Sequence, residues 1–195
     1  MTAPLALVVF GLIVLPSCSS GQSSVSASAG TIGAPTVSIQ VGPLAEEFAT
    51  ALPDDPAKAK VVTAWRESQV IWEKSVQGWK VAADATGYYR GSALVRLQSA
   101  VSTDVAYQII LSGTNRLYNT SVTSLTDHSA TLTSCDDSTK VIDENPTIGQ
   151  KYPNAEGAVL VFLTIWQLVP AGGHWAVTSY SLIAAPDPRE RVCVA

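Results

Sequence analysis

Residues Ala158–Ala184, which read AVLVFLTIWQLVPAGGHWAVTSYSLIA, carry the pattern that decides the predicted fold. Two runs rich in β-branched and aromatic residues, 158–168 and 174–184, lie on either side of VPAGG. Such residues favour β-strands, and paired glycines between two runs of this kind are typical of a hairpin turn. Neither run contains Asp, Glu, Lys or Arg. We therefore expect the two runs to form the centre of an antiparallel sheet.

A second pair of strands is predicted upstream of this hairpin. Residues 119–135, NTSVTSLTDHSATLTSC, place apolar side chains at alternating positions on either side of TDHS. That alternation predicts two strands joined by a turn at TDHS. The polar residues 136–157 contain two prolines and two glycines, which is typical of a long connection. Within this connection we expect strand only around Val141 and Ile142.

Residues 52–82 carry the clearest helical pattern in the chain. Asp54 or Asp55 is placed to cap the start of a helix, and Pro56 suits its first turn. The predicted buried stripe recurs every three or four residues and comprises Val62, Trp65, Gln69, Trp72, Val76 and Trp79. On the opposite side lie Lys60, Glu67 and Lys74. The helix is therefore expected to be amphipathic and to rest on an apolar surface.

The three tryptophans of this stripe, Trp65, Trp72 and Trp79, leave three interpretations open. They can pack in the core against a sheet, line a pocket for a flat apolar ligand, or lie at a membrane interface. Together with Gln167 and Tyr180 of the hairpin strands, they are the candidate cavity-lining residues.

The segment between this helix and the strands shows weaker periodicity. Gly87 and Gly91 are expected to break helical structure, and a second helix is predicted from Thr103 to about Ser112. Helices followed by an antiparallel meander define an α+β fold, with N-terminal helices packed on a curved antiparallel sheet.

Two short stretches, ATLTSCDDSTKVID and GHWAV, resemble the nuclear-transport-factor-two-like family as it occurs in secreted and lipid-anchored actinobacterial proteins. In that family a strand with a cysteine followed by Asp lies near a Gly-x-Trp-x-Val strand, and Cys135 and Trp175 match these positions. The resemblance covers about Ala57 to Cys193 and implies a cone-shaped α+β domain at the cell surface. The superfamily includes isomerases, cyclases, dehydratases and noncatalytic members, so the resemblance implies no single activity.

The amino terminus is typical of an exported protein. Leu5–Pro16 is an almost wholly apolar run of twelve residues, the length of a signal-peptide core and too short for a membrane-spanning helix. No Lys or Arg precedes this run, so we expect either an upstream start or an atypical signal.

The sequence Leu15-Pro16-Ser17-Cys18 resembles the lipobox of bacterial lipoproteins, although Pro16 replaces the usual small residue. By this resemblance, residues 1–17 are a signal peptide, Cys18 carries diacylglyceryl and acyl chains, and the protein is held on the extracytoplasmic face of the cell membrane. The alternative is an ordinary cleaved signal with an unrelated cysteine. Residues 18–42 are rich in Ser, Gly and Ala and predict a flexible tether, and residues 43–195 predict the α+β domain.

Three cysteines are an odd number for an exported chain. If Cys18 carries lipid, Cys135 and Cys193 remain, and an oxidising compartment favours a disulfide between them. The alternative is a pair of unpaired buried thiols.

Charge and motif content exclude several function classes. A net charge of -4 without a basic run argues against nucleic-acid binding. Asp136 and Asp137 are expected at a solvated polar edge, because adjacent carboxylates in a strand point to opposite faces. His128 and His174 are expected at the tips of the sheet. No catalytic residue, metal site or cofactor is predicted.

These observations predict a lipid-anchored, noncatalytic cell-envelope protein that binds a protein partner or an apolar ligand. Two alternatives remain, a small isomerase-like or cyclase-like enzyme and a lipid carrier. A buried ionisable group in a cavity favours the enzyme, and a dry cavity of several hundred cubic ångströms favours the carrier. A filled interior with an exposed apolar patch favours a protein adaptor.

Overall fold

The computed structural model describes residues 36–156, 158, 160–184 and 193. The strands are β1 Val37–Val41, β2 Leu44–Phe48, β3 Ile110–Leu125, β4 Ala130–Asn145, β5 Gln150–Tyr152, β6 Val161–Ala171 and β7 His174–Ala184. The helices are α1 Pro56–Gln77, α2 Ala85–Tyr88 and α3 Gly91–Tyr107. Within these ranges, no helix combines the length and hydropathy needed to cross a membrane. The predicted signal peptide and Cys18 lie outside the described residues.

The strands form one mixed sheet in the order β1-β2-β3-β4-β6-β7, with β5 paired to the end of β4. Every pairing is antiparallel except β2 with β3, which is parallel. The pairing of β3 with β4 shifts register at three places, and such irregularities bend a strand. Helix α1 packs against β3 and β7, and α3 packs against β7. The predicted α+β class, with helices on a mainly antiparallel sheet, is confirmed.

The hairpin of β6 and β7 forms where the sequence predicts it. Its register runs from Phe162 paired with Ala184 to Ala171 paired with His174. Gly172 and Gly173 make the turn with φ of 59° and 99°, backbone angles that other residues rarely adopt. This is the reason for the glycine pair in the sequence.

Helix α1 also matches its prediction. Asp55 is the N-cap, and its Oδ1 accepts hydrogen bonds from the amides of Ala57 at 2.8 Å and Lys58 at 3.3 Å. Pro56 opens the first turn, where a missing N–H costs nothing. Of the predicted stripe, Val62, Trp65 and Val76 are buried, whereas the predicted polar side is exposed.

Three boundaries differ from the predictions. The predicted tether, 18–42, extends too far, because residues 37–41 pair with β2 as strand β1. The second helix is α3, which begins at Gly91 and ends where Gln108 adopts a left-handed conformation with φ of 54°. The chain is therefore already in strand at Ser112, where the predicted helix was expected to end. Residues 136–145, predicted as a connection, are strand as well. They pair with β3 on one side and with β6 or β5 on the other.

The two faces of the sheet carry two hydrophobic clusters. The large one lies between the sheet and the helices, and includes Phe48, Trp65, Leu97 and Trp166. The small one lies on the other face of the sheet and is built around Cys135, Leu163, Cys193, Tyr118, Val161 and Ile183.

Cys135 and Cys193 are joined by a disulfide with an S–S distance of 2.07 Å. The hydroxyl of Tyr118 donates a hydrogen bond to the carbonyl oxygen of Cys193. The disulfide holds residue 193 against β4, and the hydrogen bond holds it against β3.

Candidate functional site

A cavity of about 150 Å³ lies between α1 and the helix-facing side of the sheet. We call it the interior pocket. It is lined by Gln69, Trp72, Glu73, Asn115, Asp136, Trp166, Tyr180 and Leu182. These residues come from α1, β3, β4, β6 and β7, so one helix and four strands contribute to this cavity.

Strand alternation places Asp136 inside and Asp137 outside. Asp136 faces the interior pocket, whereas its neighbour Cys135 forms the disulfide on the other side of the sheet. Asp137 lies in a shallow outer groove, where its Oδ1 accepts a hydrogen bond of 2.6 Å from the hydroxyl of Thr139. The expectation that adjacent carboxylates point to opposite faces is therefore correct. The expectation of a solvated edge is wrong for Asp136, because Asp136 lies on β4, a central strand of the sheet, and faces the interior pocket.

Glu73 is the buried acid that α1 contributes to the interior pocket. It is 7% exposed, and its Oε2 has no hydrogen-bond partner. Burial raises the pKa of Glu73 to about 8, and the nearby charges of Asp136 and Asp104 act in the same direction. At neutral pH the Glu73 carboxyl is therefore mostly protonated.

Behind Asp136 lies a small network of polar side chains. The Asn115 amide donates to Oε1 of Glu46 at 3.1 Å, and the Ser138 hydroxyl lies 3.0 Å from Oδ1 of Asn115. The same hydroxyl lies 3.4 Å from Oδ1 of Asp136. Burial raises the pKa of Asp136 to about 6, opposed by its hydrogen bonds to Ser138 and Asn115. Asp136 is therefore mostly ionised at pH 7 while Glu73 is mostly neutral.

Glu46 extends the acidic group into the core. It is 1% exposed, its Oε2 has no hydrogen-bond partner, and burial together with the charge of Glu73 raises its pKa well above the ordinary value. Asp104 of α3, which does not line the pocket, interacts electrostatically with Glu73. Burial, then the charge of Asp143, raises the pKa of Asp104 to about 6. Each of these shifts reflects carboxylates that are partly removed from water and close to one another.

Aromatic side chains form the apolar wall of the interior pocket. The ring centroids of Trp72 and Tyr180 are 6.0 Å apart, and those of Trp166 and Tyr180 are 4.9 Å apart. The indole N–H of Trp166 donates to the hydroxyl of Ser134 at 3.0 Å, which fixes the ring. The guanidinium of Arg96 lies 4.7 Å from the centroid of the Tyr180 ring. The wall is thus held by ring packing, one hydrogen bond and a cation–π contact.

Two of the five candidate cavity-lining residues, Trp72 and Tyr180, line the interior pocket. Trp65 instead fills the core, with ring centroids 5.9 Å from Phe48 and 6.1 Å from Trp166. The other two candidates, Trp79 and Gln167, also lie outside the pocket. Trp79 follows α1 with φ of 52°, and its indole donates to the carbonyl of residue 109 at 2.6 Å.

Gln167 is exposed and accepts a hydrogen bond of 3.2 Å from the hydroxyl of Thr131 on β4. It lies outside the pocket because it points to the opposite face of β6 from its neighbour Trp166.

Two larger grooves, of about 400 and 370 Å³, run along the exposed side of α1. Thr63 and Glu67 are exposed and line both grooves. His174 lines the second groove, with its Nε2 3.0 Å from the carbonyl oxygen of Gly87. The carboxylates that line these grooves, Glu67 and Asp84, are exposed to solvent. The interior pocket contains the buried carboxyl of Glu73 and is therefore the stronger candidate for a binding site.

The acids of the interior pocket do not form a metal site. Among the described residues, no group of three or more His, Cys, Asp or Glu side chains is arranged to hold a metal ion. The carboxylates are close enough to influence one another's ionisation without sharing one coordination sphere.

The sequence matches no family model and no curated protein. Among solved structures, it is similar to the intermembrane space region of chloroplast protein ARC6, with a TM-score of 0.42 and 13% sequence identity. This likeness covers 68% of the present chain and 100% of the ARC6 region. A likeness this distant indicates no function.

Proposed function

We propose that this chain is a lipid-anchored protein of the cell envelope whose domain is a nuclear-transport-factor-two-like cone that binds a small ligand in the interior pocket. The single observation that carries ligand binding is the carboxyl of Glu73, which is buried, lines the pocket and leaves Oε2 without a hydrogen-bond partner. A buried polar atom without a partner costs about 1–3 kcal/mol. A ligand that donates a hydrogen bond to Glu73 removes this cost.

The volume of the pocket sets the size of the ligand. A cavity of about 150 Å³ holds one molecule the size of benzene. An acyl chain is far larger, and the acidic lining is unsuited to it, so the pocket does not favour a lipid carrier. The aromatic wall of Trp72, Trp166 and Tyr180 suits a compact apolar group.

The cone architecture is supported by the sequence resemblance and by the register shifts that bend the long β3–β4 pair beneath α1. A lipid anchor at Cys18 is supported by the lipobox-like sequence and by the apolar run before it. The disulfide between Cys135 and Cys193 supports an oxidising, extracytoplasmic compartment. Anchoring would hold the pocket near the membrane, where a cell-envelope protein can also contact the domain.

Mass spectrometry of the protein recovered from its native membrane tests the anchor. The expected mature chain begins at Cys18 and carries added diacylglyceryl and acyl mass. A mature chain without lipid would contradict the anchor and leave the pocket unaffected.

Ligand binding is tested by NMR, in which the ¹⁵N-labelled protein is titrated with neutral and charged small molecules of six to eight heavy atoms. We expect shifts of the indole N–H signals of Trp72 and Trp166, which line the pocket. Trp175, which lines an outer groove, is the internal control and should not shift. If no fragment moves the two pocket indoles at millimolar concentration, the proposal fails.

A second candidate function, acid–base catalysis, is favoured by one observation. Glu73 and Asp136 face the same pocket with pKa values of about 8 and about 6, so one is protonated and the other ionised at pH 7. An acid and a base in this state are what a proton-transferring isomerase requires.

This candidate is tested by exchange of the α-hydrogens of cyclopentanone in D₂O, which reports proton abstraction without knowledge of the natural substrate. Faster exchange with the protein, lost in Asp136→Asn, supports catalysis. Exchange at the buffer rate supports binding alone.

A further inference from the structure

We propose that the ligand of the interior pocket is a small organic cation, an ammonium group attached to a compact apolar body. This inference rests on the proposed ligand-binding function and specifies its ligand class. Three features of the pocket carry it: the sign of the charges around it, the unpartnered acceptor inside it, and its aromatic wall.

The charges that surround the pocket are mainly negative. Glu73 comes from α1, Glu46 from β2, Asp136 from β4 and Asp104 from α3. Glu73 and Asp136 line the pocket itself. The charges of Asp136 and Asp104 raise the pKa of Glu73, and the charge of Glu73 raises the pKa of Glu46. A bound positive charge would stabilise the ionised form of each.

The cation that contacts the pocket wall is Arg96 of α3. Its guanidinium lies over the ring of Tyr180, at 4.7 Å from the centroid, and it interacts with the phenol of that residue. Arg96 makes this contact with Tyr180 and forms no salt bridge with Glu73 or Asp136. Within the described residues, the carboxylates of the pocket therefore have no ion-pair partner.

Hydrogen bonding points to a donor-rich group. The Oε2 atom of Glu73 accepts no hydrogen bond and is buried in the pocket lining. An ammonium group has three donors and no acceptor, so it complements a carboxylate better than a hydroxyl does. The rings of Trp72, Trp166 and Tyr180 give the same preference, because aromatic faces attract cations.

A metal ion does not satisfy the same requirements. Within the described part of the chain, no three acidic, His or Cys side chains can converge on one ion. A cavity of about 150 Å³ lined by three aromatic rings is too large and too apolar for a bare ion. An organic cation fills the volume with its apolar body and places its charge at Glu73.

Binding of such a cation must release a proton. The free protein holds a proton on Glu73, and the ammonium replaces it, so the carboxylic acid and the cation yield a carboxylate–ammonium pair and one H⁺. Apparent affinity therefore follows the ionised fraction of Glu73. It rises about tenfold between pH 6 and pH 7 and levels off above pH 8, where Glu73 is ionised in the free protein.

The test compares benzylamine with benzyl alcohol, which share their shape and differ in charge. Binding is followed by the indole signals of Trp72 and Trp166 between pH 6 and pH 8. We expect benzylamine to bind at least ten times more tightly than benzyl alcohol at pH 8. Titration calorimetry in two buffers of different ionisation enthalpy, carried out at pH 7, should show release of about one proton per benzylamine bound.

Glu73→Gln should remove most of the preference for the amine and its rise between pH 7 and pH 8, and the remainder comes from Asp136. Glu67→Gln, on the exposed side of the same helix, is the matched control and should keep both. Asp136→Asn is a second variant, in which the preference for the amine should fall although Glu73 remains.

Equal affinities for the amine and the alcohol, with the indoles shifting for both, would overturn the cation inference and leave the binding pocket intact. If neither compound shifts the indoles, the cation inference fails, and the fragment titration then decides the pocket itself. A preference for benzylamine that is undiminished in Glu73→Gln would also overturn the inference.

Discussion

Replacing Glu73 with glutamine should make the protein more stable at neutral pH. The carboxyl of Glu73 has a pKa of about 8 in the folded protein against 4.5 for the ordinary group. Between these two values the folded state holds a proton that the unfolded state has lost. Stability therefore falls as pH rises through this window, by about 1.4 kcal/mol per pH unit. The substituted glutamine would be uncharged in both states and would contribute no such slope.

The expected magnitude follows from that slope. At pH 5 the carboxyl of the unfolded state, with its ordinary pKa of 4.5, is already about three-quarters ionised, so about 0.8 kcal/mol of the difference has built up beyond a constant offset. At pH 7 the difference should have grown by about 2 to 3 kcal/mol in favour of Glu73→Gln. Above pH 8 it should stop growing, because Glu73 is then ionised in both states.

Urea unfolding at pH 5, 6, 7 and 8, with the disulfide intact, measures this difference. The other raised acids, Glu46 and Asp136, give the wild type additional slope, so only the difference between the two proteins isolates Glu73. Glu67→Gln, exposed on the same helix, should run parallel to the wild type. If the stability curves of Glu73→Gln and the wild type are parallel across this range, Glu73 is not buried as a neutral acid.

Two further predictions concern the scaffold. Replacing Cys135 and Cys193 together with serine should lower the free energy of unfolding by about 4 kcal/mol, since the bridge closes a loop with a sequence separation of 58; urea unfolding measures the loss, and an unchanged midpoint would contradict it. Gly113→Ala should destabilise the protein by more than about 1 kcal/mol, because its φ is 100° and a Cβ there would lie 2.0 Å from the carbonyl oxygen of Lys140. Gly149→Ala, with φ of 66° and open space around it, is the control and should cost less in the same assay.

The sequence allowed the hairpin and α1 to be predicted because each is encoded locally. Residues 158–184 combine strand-forming composition with a glycine pair, and the structure uses both. Helix α1 is preceded by a capping aspartate, Asp55, and keeps its stripe from Val62 to Val76. Each could therefore be assigned as strand or helix without knowing which elements pack against it.

The long strands β3 and β4 were harder to delimit because their length is set by pairing. Residues 136–145 carry mostly polar side chains, which locally favour a connection. They form strand because β3 lies on one side of them and β5 or β6 on the other. Register shifts also interrupt the alternation of side chains that would have marked the strands.

The candidate site was missed because its acids come from different elements. The strands predicted to line a cavity were those of the hairpin, which contain no Asp or Glu, whereas Glu46, Glu73 and Asp136 lie on β2, α1 and β4. One signal was present: Glu73 follows Gln69 by four residues and precedes Val76 by three, so it lies on the predicted buried stripe of α1. An acid in that position has to be neutral, paired or bound when the helix docks.

For Asp136 the missing information was the direction of the alternation. Strand geometry requires Asp136 and Asp137 to face opposite sides, but it does not say which one faces the core. The disulfide resolves this, because Cys135 must lie on the face where Cys193 is bound, and Asp136 then points to the other face. The same bridge that fixes residue 193 to the outer face thus also fixes which carboxylate enters the interior pocket. Because Cys135 directly precedes Asp136, knowing which face of the sheet carries the disulfide also shows that Asp136 faces the pocket.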